Sequence, residues 1–233
     1  VHLPCQSGEH FRNAAGFTPL GRFAKDGIQR DLDFLRLGPG DGRRDYVSEM
    51  WSGVRGRFAA LVGARESEIG LVECTKAGEQ KVLDRLDALR RGGNVVTNDL
   101  HFSGSLHNYE GLRRAGVDVR IVRAGPDLQV PLDRMVSAMD DRTVLVAVSL
   151  VSNVNGHVEP MAALAGAAHA RGALVFADSI QAAGAVPLDL PATGVDVAAC
   201  SSYKWLLGLH GAGFLYVRDG VQGAALPDRL FPG

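Results

Sequence analysis

The sequence lacks the features by which composition alone would assign a function. It has no apolar run approaching the roughly twenty residues that a membrane-spanning helix requires. Its net charge is −1, so nothing in it indicates a surface for nucleic acid or anionic lipid. Its first residues, VHLPCQSGEHF, do not follow the basic and then apolar order of a secretory signal. We therefore expect a cytoplasmic protein that binds neither nucleic acid nor a membrane.

Cysteine is scarce as well. The three cysteines, Cys5, Cys74 and Cys200, are odd in number and far apart, which argues against a disulfide framework or a zinc knuckle. Cys74 and Cys200 lie in apolar, strand-like segments, so we expect them to pack as small core residues. Cys5 is expected to be exposed. These residues predict no metal site.

A dinucleotide-binding turn is also missing. A nicotinamide oxidoreductase on a doubly wound sheet needs a G-x-G-x-x-G turn after its first strand, and the sequence has none in that place. Tyr203 and Lys204 are adjacent rather than one helical turn apart, which disfavours a short-chain dehydrogenase. The sequence therefore argues against hydride transfer to a nicotinamide.

What is present is the composition of a globular α/β protein. The 233 residues are 46% hydrophobic and 22% charged, enough for one large domain or two small ones. Strand-like and helix-like segments alternate from Ile69 to Ala199, which predicts a largely parallel sheet with helices on its faces. Further helices are predicted at residues 47–63, from Ala77 through Leu89, and from Met161.

The most informative stretch is residues 172–218. An apolar run there stops at Asp178, a second run in residues 195–205 stops at hydroxyl groups and Lys204, and residues 211–218 predict a third strand. Polar groups at the carboxyl ends of strands are where open α/β sheets hold ligands. Asp178 and Lys204 are therefore candidates for a shared site.

The chemistry of this pair suits pyridoxal phosphate (PLP). Partial burial lowers the pKa of a lysine, and the neutral amine then forms a Schiff base with a carbonyl. A nearby carboxylate suits the pyridinium nitrogen of PLP. The alternative is that Asp178 caps a helix beginning near Ser179, while Lys204 is a solvated loop cation. The order of the two residues, each ending a strand, favours the PLP site.

Three motifs carry a resemblance to a known family. ADSIQAAG at residues 177–184, CSSYKW at 200–205 and GAGFLYVR at 211–218 together resemble the class V aminotransferase family of fold-type I PLP enzymes, which includes cysteine desulfurases and isopenicillin N epimerase-like proteins. The resemblance implies a three-layer αβα large domain. Its sheet would be mostly parallel and seven-stranded, with one antiparallel strand.

The resemblance also implies roles for residues in these motifs. Lys204 would form the Schiff base with PLP, and Asp178 would pair with the pyridine nitrogen. Gln181 would lie near the ring hydroxyl, and Ser201 and Tyr203 would reach the phosphate. The family often has histidine where Tyr203 stands, and both side chains can donate a hydrogen bond.

A second stretch predicts where the phosphate binds. Residues 69–74 indicate a strand, and a turn with Thr75 and Gly78 leads into a helix, whose free N–H groups and dipole suit an anion. The resemblance places Thr75, Lys76 and Ala77 at the phosphate contacts. Lys76 stands where the family has a small residue, so it either adds charge to the phosphate or points to solvent. An ordinary capped turn is the alternative.

The resemblance assigns two residues beside the cofactor ring. His101 matches the position of an aromatic residue that stacks on the pyridine face, where an imidazole could also assist proton transfer. Asn153, in the turn SNVNG, would lie beside the ring hydroxyl and the substrate, with an amide that donates and accepts. The alternatives are a surface histidine and an ordinary turn asparagine. His107 is expected on a helix surface.

The start of the chain resembles a family segment that crosses the mouth of the active site. Asn13, Ala14, Ala15 and Gly16 are therefore weak candidates for substrate contact, because small residues let backbone approach a substrate closely. An ordered N-terminal arm without that role is the alternative.

The resemblance also implies a domain organisation. Residues 1–45 would form an N-terminal arm and helix, and residues 46–233 the PLP-binding large domain. The family's small C-terminal domain, with its carboxylate-binding arginine and, in desulfurases, the catalytic cysteine, is expected to be missing from the chain. A homodimer acting on a small amino acid is the implied assembly.

Two functions remain open at this point. The first is a PLP-dependent lyase, aminotransferase or epimerase in which Lys204 is also the general acid and base. The second is a non-catalytic binding or assembly module that keeps the fold without the substrate-binding domain.

Overall fold

The fold is organised on a seven-stranded sheet. The computed structural model describes residues 14–16, 18–36 and 42–223, so Cys5 and Asn13 lie outside the described residues. The strands are β1 (Ile69–Val72), β2 (Asn94–Asn98), β3 (Asp118–Val122), β4 (Thr143–Ser149), β5 (Leu174–Asp178), β6 (Val197–Ser201) and β7 (Gly213–Val217). Their order across the sheet is β1-β7-β6-β5-β4-β2-β3.

The sheet is parallel except at β7. That strand runs antiparallel to both of its neighbours, β1 and β6, while the other pairings are parallel. The predicted sheet, mostly parallel with one antiparallel strand, is therefore confirmed. Because Ser149 pairs with Asp178 and Asp178 with Ala199, the carboxyl ends of β4, β5 and β6 meet at one edge.

Helices cover both faces of the sheet. They are α1 (Arg22–Arg36), α2 (Arg43–Leu61), α3 (Thr75–Leu83), α4 (Asp87–Arg90), α5 (Ser103–Arg114), α6 (Leu132–Ala138), α7 (Met161–His169) and α8 (Leu190–Thr193), with a 3-10 helix at Glu66–Glu68. Helices α2, α6, α7 and α8 contribute to one buried cluster, and α3, α4 and α5 to the other. Among the described helices, none has the length and apolarity needed to cross a bilayer.

Side-chain alternation along the strands divides the core in two. Val175 belongs to the first cluster and its neighbour Phe176 to the second; Val96 and Val95 divide in the same way. Successive side chains of a strand point to opposite faces, and here both faces are buried. The strands therefore read as continuous apolar runs, as expected for the middle layer of three.

One local prediction was wrong, and one structure considered as an alternative is not formed. The helix predicted from Ala77 through Leu89 is divided into α3 and α4, because Leu86 leaves the helical region with ψ 72°; Leu86 and Leu89 are both buried. The helix considered after Asp178 is a turn, in which the Ile180 N–H donates to Asp178 Oδ1 at 3.0 Å.

Of the two described cysteines, one behaves as expected. Cys200 is fully buried in β6, and burial raises the pKa of its thiol. Cys74 is only partly buried, and its Sγ accepts the Ala77 N–H at 3.4 Å. It therefore caps α3, which begins at Thr75 rather than at Ala77.

Candidate active site

Two buried groups of opposite charge lie at the carboxyl edge of the sheet. Asp178 ends β5 and is 2% exposed, and Lys204, three residues beyond β6, is 7% exposed. Burial raises the pKa of Asp178, and the charges of His101 and Lys204 act in the opposite sense. Burial lowers the pKa of Lys204, opposed by the charge of Asp178. The sheet thus brings together the amine and the acid that the sequence singled out.

The turn at the start of α3 is joined to the end of β6. The Thr75 N–H donates to Ser201 Oγ at 2.8 Å, the Ser201 N–H donates to Thr75 Oγ1 at 2.9 Å, and the two hydroxyls are 2.9 Å apart. Both residues are buried. The predicted anion-binding turn therefore lies beside the strand that leads to Lys204.

Gly78 allows this close approach. A Cβ at this position would lie 3.0 Å from Ala199 Cβ and 3.2 Å from Leu215 Cδ1. Real Cβ atoms seldom come so near a neighbour in a packed interior. The missing side chain therefore lets the first turn of α3 rest directly on β6 and β7.

His101 is hydrogen-bonded at one ring nitrogen and faces a carboxylate with the other. Its side chain has no exposed surface, and its Nδ1 lies 2.8 Å from Ser149 Oγ. Its Nε2 has no hydrogen-bond partner among the described residues, and the nearest carboxylate oxygen is Glu79 Oε1 at 3.5 Å. Ser149 pairs with Asp178 across β4 and β5, so the ring lies next to the strand end that carries the acid.

A segment near the start of the chain crosses this edge of the sheet. Thr18 donates its hydroxyl to the Lys204 carbonyl at 2.7 Å and its N–H to the Tyr203 carbonyl at 3.1 Å. Gln181 donates to the Ala15 carbonyl at 3.0 Å and accepts from Trp205 Nε1 at 2.8 Å. The N-terminal arm therefore contacts the candidate site.

The other predicted site residues are exposed or contact residues outside the group at Asp178 and Lys204. Lys76 forms an ion pair with Glu79 and donates to Ser105 at 3.3 Å. Tyr203 stacks on His210 with ring centroids 4.0 Å apart, and Asn153 is exposed in the turn after β4. The predicted residues that the structure buries together at this edge are Thr75, His101, Asp178, Gln181, Ser201 and Lys204.

Sequence reasoning missed the residues that support His101. Ser149 was visible as a polar end to β4, in the same position that Asp178 has in β5. Glu79 carried no such signal, since a glutamate in a helix is usually solvated. Here it is 1% exposed; burial opposes its ionisation, but His101 and Lys76 lower its pKa to about 2.

Fold and site together define a class of protein. An open α/β sheet with a buried amine, a buried carboxylate and a helix N-terminus at its carboxyl edge is an arrangement for binding a small anionic ligand. The family model described as "Aminotransferase class-V" matches residues 43–230. The chain belongs to this family, and the resemblance seen in the sequence is confirmed.

Individual relatives agree with this assignment. The chain is 34% identical over 179 residues to a probable cysteine desulfurase of Methanothermobacter thermautotrophicus, covering 77% of this chain and 44% of the relative. It is 32% identical over 173 residues to the uncharacterized aminotransferase YcbU of Bacillus subtilis, covering 74% and 46%. The chain therefore spans about half the length of these curated relatives.

Solved structures share the fold. The cystine C-S lyase C-DES, in complex with its product cysteine persulfide, superimposes with a TM-score of 0.87 at 22% identity, covering 95% of this chain and 60% of that one. SspA in complex with cysteine gives a TM-score of 0.82 at 20% identity, covering 94% and 63%. At this identity the likeness shows the architecture alone.

Proposed function

We propose that this chain forms the cofactor-holding part of a PLP-dependent enzyme that acts on an amino acid through Lys204. The observation that carries the proposal is the placement of a buried amine and a buried carboxylate at one sheet edge, next to the turn at Thr75. The relatives are named as an aminotransferase and a cysteine desulfurase, which favours an enzyme over a non-catalytic module.

The residues present fit PLP group by group. The aldehyde needs an amine with a lowered pKa, as Lys204 has. The pyridinium nitrogen needs a buried acceptor, and Asp178 Oδ1 accepts one backbone N–H. The phosphate needs donors; one of the Thr75 and Ser201 hydroxyls donates to the other, so the second hydroxyl and the remaining N–H groups in the first turn of α3 would supply them. His101 supplies a flat ring for stacking. Gln181 would lie beside the ring hydroxyl.

Each of these residues has a defined task in the mechanism. PLP, when bound, supplies a ring that stabilises negative charge on the substrate carbon. Lys204 would hold the cofactor and would take and return a proton at Nζ. Asp178 must be ionised to keep the ring nitrogen protonated; burial raises its pKa, and the charge of Lys204 acts in the opposite sense. Tyr203, Lys76, Ala77 and Asn153 remain predicted cofactor contacts.

The names of the relatives bear on the reaction that we propose. The relative named as a cysteine desulfurase favours cleavage at a sulfur-bearing amino acid, and the relative named as an aminotransferase makes transamination the alternative. A cytoplasmic homodimer remains our expectation. So does the division at residue 45, which falls within the first turn of α2.

The test is to locate the covalent attachment of PLP. Purified protein mixed with PLP is expected to gain a visible absorbance band, which shifts when the reactive amino acid is added. Borohydride reduction followed by peptide mapping should place the added mass on Lys204. Lys204→Ala should lose the band, whereas Lys25→Ala, which removes an exposed lysine of α1, should keep it. A wild-type protein without a band, or mass on another lysine, contradicts the proposal.

A further inference from the structure

Glu79 is a buried carboxylate surrounded by donors. Its Oε2 receives a hydrogen bond from Ser105 at 2.8 Å and an ion pair from Lys76. Its Oε1 receives the Tyr109 hydroxyl and lies 3.5 Å from His101 Nε2. A carboxylate buried to this extent is destabilising unless it is paired and hydrogen-bonded. Lys76, Ser105 and Tyr109 meet that need without His101.

His101 is the member of the cluster that needs an explanation. Its Nδ1 is engaged by Ser149 Oγ, which also accepts the Phe102 N–H at 3.2 Å. The serine hydroxyl can donate its hydrogen to Nδ1 or accept a hydrogen from it, so this contact is compatible with either tautomer. Nε2 is buried without a hydrogen-bond partner among the described residues. Which ring nitrogen carries the proton then depends on the charge that faces Nε2.

That charge is negative. A lone pair on Nε2 would be repelled by an ionised carboxylate oxygen 3.5 Å away, whereas an N–H bond is attracted to it. The ion pair with Lys76 and the donors Ser105 and Tyr109 keep the Glu79 carboxylate ionised at neutral pH. The glutamate therefore favours the tautomer with the proton on Nε2, and the serine accommodates that tautomer by donating to Nδ1.

We propose that Glu79 is a positioning residue that holds the proton of His101 on Nε2 and, together with Ser149, fixes the plane of the imidazole for stacking on the cofactor. The proposal rests on the proposed function, because only a bound ring makes use of that plane. Glu79 itself needs no contact with PLP or substrate. Its effect is transmitted through the ring of His101.

The test reads the tautomer directly. Two-bond ¹H–¹⁵N correlation spectra of the labelled apoprotein distinguish Nε2–H from Nδ1–H, and His101→Gln assigns the signal. Wild type is expected to carry the proton on Nε2. Glu79→Gln keeps the side-chain volume but removes the charge, and we expect the tautomer ratio to change about tenfold, the effect of losing a charged partner. The Kd for PLP should rise about threefold to tenfold.

The control variant is Glu68→Gln. Glu68 is a buried carboxylate that accepts from the Arg65 and Asp219 N–H groups. Its substitution should lower stability while leaving the His101 tautomer and the Kd for PLP unchanged. A general loss of packing would alter both variants alike.

Two results would overturn the inference. The inference is wrong if His101 of the wild type carries its proton on Nδ1, and this result does not require Glu79→Gln to fold. A wild-type tautomer retained in folded Glu79→Gln ends it too. The proposed function fails separately: it is wrong when the wild type gains no absorbance band with PLP, whatever the tautomer of His101.

Discussion

Alanine at Gly78 tests how the proposed phosphate-binding turn is positioned. The new Cβ would meet Ala199 Cβ at 3.0 Å and Leu215 Cδ1 at 3.2 Å. These neighbours belong to central strands β6 and β7, so they can yield little. The first turn of α3 must therefore move away from the sheet.

Two opposing effects set the magnitude. Overpacking of a core contact costs about 1–3 kcal/mol, while alanine in place of glycine inside a helix stabilises by about 0.5–1 kcal/mol. We expect Gly78→Ala to lower the free energy of unfolding by about 1–2 kcal/mol. Because α3 carries the turn at Thr75, the Kd for PLP should rise as well, by about tenfold.

Gly166 offers a matched control. It lies inside α7, is exposed, and has nothing within 4 Å of an added Cβ. Gly166→Ala should show the helix effect alone, a gain of about 0.5–1 kcal/mol, with an unchanged Kd. Urea unfolding and PLP titration measure both quantities. If Gly78→Ala is as stable as Gly166→Ala and binds PLP like wild type, the tight contact between α3 and β6 is not what positions the turn.

Three further substitutions test the buried polar groups. Thr75→Val removes the acceptor of the Ser201 N–H and should cost about 1–3 kcal/mol in urea unfolding; a neutral result contradicts the link between the turn and β6. Asp196→Asn removes the charge of a buried carboxylate that pairs with the partly exposed Arg218. The free energy of unfolding should fall by about 2–3 kcal/mol in the same assay. The pKa of Glu79 is lowered from 4.5 to about 2, so its contribution to stability is complete above pH 4.5 and is lost as pH falls towards 2. The stability difference between wild type and Glu79→Gln, on the order of 3 kcal/mol at pH 7, should therefore shrink in acid; a constant difference refutes the assignment.

The sequence was sufficient for those parts of the fold that depend on local pattern. Apolar runs ending at Asp178 and at Ser201 correspond to the ends of β5 and β6, because strand period and turn residues are local properties. The family motifs supplied the sheet type and the role expected of Lys204.

Other features depended on contacts between distant segments. The pairing of β1 with β7 joins residues about 145 positions apart, as Ile69 with Tyr216. The burial of Glu79 requires α5 to pack beside α3, and a helix surface pattern does not report it. The break at Leu86 was missed for a similar reason, since Leu86 and Leu89 satisfy helical spacing whether or not the helix is continuous.

The burial of two charged groups at this site has an energetic cost, and that cost bears on the kind of ligand proposed for it. Burial disfavours the charged form of Asp178 and of Lys204 alike, and neither side chain has the dense set of partners that surrounds Glu79. A core built for stability alone would place apolar groups there, since a buried pair of charges is often no better than a hydrophobic replacement. A ligand that offers a protonated ring nitrogen to the acid and a carbonyl to the amine relieves both penalties. Buried charge of this kind, at the ends of the central strands β5 and β6, is typical of a functional site rather than of a structural one.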